Sequence, residues 1–143
     1  MSKTMNTAAD RDRRQQIGAT RGRDLYWGMT VGFLSNIATL AILSMGSGLD
    51  LAISAVILGT LVFVLVNSFD CMDDLKANAD DSDEEEAQTH FGQKFAAAPW
   101  GMFKTLVALI FGAMALSQLW VTWGQTLSTA PALLRVSPTS HAH

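Results

Sequence analysis

Residues 25–45 read LYWGMTVGFLSNIATLAILSM, 21 positions without one Asp, Glu, Lys or Arg. At about 1.5 Å of rise per helical residue, such a run reaches across a hydrocarbon core of about 30 Å. Residues 51–69, LAISAVILGTLVFVLVNSF, give 19 more positions with no ionised side chain. A third stretch, 99–122, holds only Lys104, one turn inside its start, where a long stem lets the ammonium snorkel back to the interface. Helices buried in a soluble bundle keep a polar face, and none of these three has one. The expected fold is an all-α integral membrane protein with three transmembrane helices at 25–45, 51–69 and 99–122.

The composition agrees. Of 143 residues 49% are hydrophobic and only 16% charged, against about 25% charged in soluble domains. Most of those charges fall in two stretches, 3–24 and 70–86. A water-facing globule would spread them over its surface, and the length excludes a large multidomain enzyme.

Local signals set the boundaries. Between the first two spans, Gly46-Ser47-Gly48-Leu49-Asp50 is rich in turn formers, and Asp50 is placed to cap the second helix. The first two spans are thus expected to form a tight antiparallel hairpin with an external turn at 46–50. Pro99 suits the first turn of the third helix. Tyr26 and Trp27 open the first span, Trp100 opens the third, and Trp120 and Trp123 close it. With Lys104 they form a set of interface anchors, because rings carrying one polar atom favour the headgroup layer.

The distribution of Lys and Arg predicts orientation. Lys3, Arg11, Arg13, Arg14, Arg21 and Arg23 precede the first span, and Lys76 and Lys94 lie between the second and third. Only Arg135 follows the third. Leaving out Lys104, eight basic residues lie on one side against one on the other. The expected placement is a bacterial inner (plasma) membrane, with the basic tail 1–24 and the acidic loop 70–98 in the cytoplasm and an irregular tail 123–143 outside. The first apolar run is full length and lacks a small-residue cleavage site behind it, so it reads as a retained anchor. Cys71 falls on the cytoplasmic side, where no disulfide is expected.

In lipid, helices associate through small residues and shared polar groups. Gly28 and Gly32 form a GxxxG that Asn36 and Thr39 continue. Ala55, Gly59, Phe63 and Asn67 recur at four-residue spacing in the second span, and Gly101, Thr105, Ala108, Gly112 and Ala115 make a comparable stripe in the third. These faces serve either assembly with other subunits or packing within the chain. No Asp, Glu, His or Arg stands at mid-membrane, which disfavours a proton-coupled carrier and ligation of haem by the spans.

The loop 70–95 carries nine acids against Lys76 and Lys94, a local balance of −7. Asp80, Asp81, Asp83, Glu84, Glu85 and Glu86 read as a solvated linker, as a docking segment for a basic cytoplasmic partner, or as the intramolecular complement of the basic N-terminal tail. Downstream, Phe91 and Phe95 precede Ala96 to Ala98, which suggests an interfacial helix over 87–98. Asp70, Asp73 and Asp74 put three carboxylates on one helix face and are candidates for a divalent cation. Their DxxDD pattern resembles the aspartate motifs with which membrane prenyltransferases hold magnesium diphosphate, but those enzymes pair two motifs on a larger bundle and one cluster stands here. The run 80–85 lacks the glycine of a calcium loop, Glu85 standing in its place.

No nucleophile elbow, Walker loop, CxxC or HExxH occurs, so neither enzymatic activity nor a metal or other cofactor is expected. Nucleic acid is not an expected partner; the lipid bilayer and other membrane subunits, or further copies of the chain, are. The sequence is read as a non-catalytic accessory or assembly subunit of a larger inner-membrane complex. The three-span length also resembles that of phage holins, implying a self-assembling pore as the alternative, although holins end in a basic cytoplasmic tail. A small transporter is the remaining alternative.

Overall fold

A computed structural model describes residues 7–46 and 48–133, with 125–133 described as backbone alone. Lys3, Ser47, Arg135, His141 and His143 lie outside the described residues. Among the described residues every element is a helix: α1 (Ala8–Ser44), α2 (Asp50–Asp80), α3 (Glu84–Gln88), α4 (His90–Ala96) and α5 (Trp100–Leu133). Three of them, α1, α2 and α5, are long and apolar enough to cross a membrane.

The first span is not a separate helix. α1 is 37 residues long, about 55 Å, and continues without a break from the arginine-rich segment into the apolar run. No Pro interrupts 8–24, the helix passes through Gly18 and Gly22, and Thr7 and Asp10 close a capping box, the Thr7 hydroxyl accepting from the Asp10 N–H while the Asp10 carboxylate accepts from the Thr7 N–H. Two N–H groups that would otherwise lack partners are thereby satisfied. α2 likewise extends beyond residue 69, to Asp80.

Between α1 and α2, Gly46 (φ +69°) and Gly48 (φ +64°) occupy the left-handed region, which a Cβ disfavours. Asp50 does not cap α2 as expected. Leu49 is the N-cap, with no side-chain cap hydrogen bond, and Asp50 is the first helical residue, where its charge still complements the helix N-terminus. Pro99 lies just outside α5, its carbonyl accepting from the Phe103 N–H at 3.1 Å. The irregular tail expected from 123 is instead helical as far as Leu133, the helix running past Gly124 and Pro131.

α2 is central, packing against both α1 and α5. Val64, Met72, Val107 and Phe111 form one core cluster, and Ile53, Ile57 and Ala115 a second. Asn36, Thr39, Ser54, Ser68, Gln118 and Thr122 are also buried, while Leu34, Ile37, Leu51, Val56, Val62, Val66, Leu109 and Leu116 face outward. Polar groups inside and aliphatic ones outside invert the soluble pattern and match a lipid environment.

Candidate functional site

The small residues separate into two groups. A Cβ at Gly32 would overlap Val64 Cγ2 and stand 2.8 Å from Phe111 Cε1, and one at Gly28 would overlap the Asn67 amide. Both glycines therefore allow α1 to approach α2, and at Gly32 also α5. Asn67 donates to the Asp24 carbonyl across the same contact (3.4 Å). Asn36 donates to the Gly32 carbonyl (2.8 Å), while its own side-chain oxygen accepts from Gln118 Nε2 (2.9 Å). Gln118 is thus the buried partner of Asn36. The signal for it was its place at helical spacing with Phe111, Ala115 and Thr122, all buried.

Ala55, Gly59 and Phe63 are exposed, and nothing lies within 4 Å of a Cβ built at Gly59. Four-residue steps advance about 40° too far each time, so a stripe repeating only at i+4 winds round the helix. Asn67, about 120° from Ala55 by the same geometry, faces α1, whereas the residues before it turn away. Ala108 and Gly112 are half-buried, with open space beside Gly112.

The acidic segment is folded against α1. Arg14 sends Nε and Nη2 to one Glu86 oxygen (3.1 and 2.7 Å) and lies 3.4 Å from Asp83. The side chains of Arg14 and Asp83 are only 11% and 8% exposed, which limits screening by water. Asp83 also caps α3, accepting from the Glu86 N–H at 2.8 Å, so formation of α3 and pairing with α1 share one carboxylate. Arg11 pairs with Glu85 at 2.8 Å; that hydrogen bond, with the negative charge of Asp83, raises the guanidinium further above its ordinary pKa. Asp80, Asp81 and Glu84 face outward. Of the six acids, three therefore complement the basic segment and three present their charge to the surroundings.

The triad considered for metal is also paired. Arg21 meets Asp74 at 2.5 Å and Asp70 at 3.8 Å, and Lys104 donates to Asp73 at 2.5 Å. Among the described residues no group of three His, Cys, Asp or Glu side chains is placed to hold a metal ion.

Of the interface anchors, Tyr26, Trp27 and Trp120 face outward. Trp123 donates to Ser54 Oγ at 3.1 Å, which joins the end of the third span to the start of α2. Trp100 is half-buried, edge-on to Phe95 and Phe103. Compared with protein-family models, curated proteins and solved structures, the chain matches none at a significant level.

Proposed function

We propose that this chain is a non-catalytic accessory subunit of a larger complex in a bacterial inner membrane. Its first two spans form a tight antiparallel hairpin, with the N-terminus and the α3–α4 segment cytoplasmic and the C-terminus external. The observation that carries this reading is the outward-facing Ala55 and Gly59 on α2, small residues left unused by packing among the described residues. A flat face of this kind in lipid suits close approach of another helix. The reading is further supported by Asp80, Asp81 and Glu84, which remain outward when the other acids are paired and suit a basic cytoplasmic partner. The positive-inside rule supports the orientation.

A photo-crosslinker at Gly59, in the tagged chain expressed in its native membrane, tests the role. A defined adduct with another membrane subunit is expected, to be lost when Ala55 is replaced by Leu. Absence of any adduct, together with a lone monomer after solubilisation in mild detergent, would refute it.

A further inference from the structure

Lys104 Nζ lies 5.5 Å from the centroid of the Phe69 ring and pairs with Asp73. Phe69 ends the apolar run of α2, so the ammonium marks the level at which hydrocarbon gives way to headgroups. Trp100 is one turn nearer the start of α5, about 6 Å further out. That places it within a headgroup layer roughly 5–8 Å deep on each face of the bilayer. Phe95 packs edge-on against Trp100 with centroids 5.2 Å apart, and Phe91 stacks on Phe95 at 5.6 Å with the planes 14° apart. Phe91 is nevertheless 76% exposed.

Charge changes along the same segment. α3 carries Glu84, Glu85 and Glu86, whereas α4, HFGQKFA, has Lys94 and no acid. The corner between them is closely built. Thr89 accepts from the Gly92 N–H at 3.0 Å and donates to the Glu86 carbonyl at 2.6 Å, and a Cβ at Gly92 would overlap that carbonyl. α4 is thus held against α3 while presenting Phe91, which among the described residues is stacked on Phe95 and otherwise exposed.

We propose that Phe91 and Phe95 rest in the headgroup layer, so that the α3–α4 segment is held at one end by the arginines of α1 and at the other by lipid. The aromatic series is continuous with Trp100 at the start of a span, and a lysine beside it complements anionic headgroups. Both features favour lipid over a protein partner. Of the acids of α3, which anionic lipid repels, Glu85 and Glu86 are paired to Arg11 and Arg14, and Glu84 faces outward. This inference rests on the three spans and not on the accessory role, and its failure would leave that role standing.

The test is spin-label accessibility in the full chain, on a Cys71→Ala background, in vesicles of phosphatidylethanolamine and phosphatidylglycerol. A label at Phe91→Cys is expected to lose most of its collisions with an aqueous nickel chelate while keeping those with oxygen; a label at Glu84→Cys keeps both. Because the first label replaces the ring itself, a second is placed at the exposed Gln93. Substituting Phe91→Asp is expected to raise nickel collisions at position 93. Equal nickel access at 91 and 84, or a 93 label that Phe91→Asp does not move, would overturn the proposal.

Discussion

Replacing Gly32 with Ala adds one methyl group where α1, α2 and α5 meet. Val64, beside it, is fully buried, and Phe111 is 2% exposed and braced by Phe33 at 4.9 Å between centroids. Neither neighbour is the free end of a flexible side chain, so relief requires α1 to move outward. Overpacking of this kind costs about 1–3 kcal/mol, offset by about 1 kcal/mol of improved helix propensity. The net loss is then about 0–2 kcal/mol. At Gly59 nothing opposes the new methyl, and the same substitution is expected to be neutral or stabilising by up to about 1 kcal/mol. Gly28→Ala falls between them: the overlapping atom is the Asn67 amide, which can swing aside at the loss of its bond to the Asp24 carbonyl, about 0.5–1.5 kcal/mol. Reversible unfolding in mixed mild-detergent and dodecyl sulfate micelles, followed by tryptophan fluorescence and circular dichroism, would rank the three. Equal stability of Gly32→Ala and Gly59→Ala would refute the reasoning, because it would mean that the α1–α2–α5 contact is not closed at Gly32.

Arg14→Gln should loosen α3 on α1, at a cost of about 1–3 kcal/mol for charge-assisted hydrogen bonds, and make the 81–89 backbone more protease-sensitive at low salt; Arg14→Lys, which keeps a cation beside Asp83 and Glu86, should retain most of the protection. In a double-mutant cycle, Asn36→Leu and Gln118→Leu should each destabilise, with a coupling energy of about 0.5–2 kcal/mol; additive losses would show that the two side chains do not share a hydrogen bond in the folded chain. Asp10 has its pKa lowered below 3.8, chiefly by the side-chain and backbone hydrogen bonds from Thr7. Its contribution to the α1 N-terminus is therefore present above that value and lost as pH falls through the lower folded one. Protection factors of the first-turn amides, corrected for intrinsic exchange, should fall at acid pH in the parent and much less in Asp10→Asn.

The three spans were legible because lipid demands long uncharged runs, a constraint that composition alone reveals. Gly28, Gly32 and Asn36 were legible as packing residues because the i+3 step to Thr39, also buried, offsets the drift of the i+4 steps before it. The Ala55 stripe was misleading since i+4 repetition drifts, and only the neighbouring helices decide which end of it is covered. The continuity of α1 was hidden by charge. Arginines before Leu25 mark the end of hydrocarbon, yet they are good helix formers, and a helix can cross that boundary unbroken. Pairing of Arg14 with Glu86 links positions 72 apart in sequence, and sequence spacing could offer it only as one of three readings of the acidic segment.

Asp70, Asp73 and Asp74 illustrate why spacing alone does not make a cation site. On a helix, positions 70 and 74 lie about 40° apart, while 73 is about 100° from 74 and 60° from 70 on the other side. In a solitary helix those three carboxylates could converge on one ion. Here α1 and α5 flank α2, and the separation directs Asp70 and Asp74 to Arg21 and Asp73 to Lys104. Three like charges at the edge of hydrocarbon repel one another, and two cations oppose them, Arg21 of α1 facing Asp70 and Asp74 and Lys104 of α5 facing Asp73. Leaving one side of this arrangement without its cation would place an uncompensated carboxylate beside the bilayer, so the set fixes how far α1 and α5 can slide along α2. The pattern that suggests metal in the sequence thus fits an axial register for three helices at the membrane edge, beside the one that Gly28, Gly32 and the Asn36–Gln118 pair give within the spans.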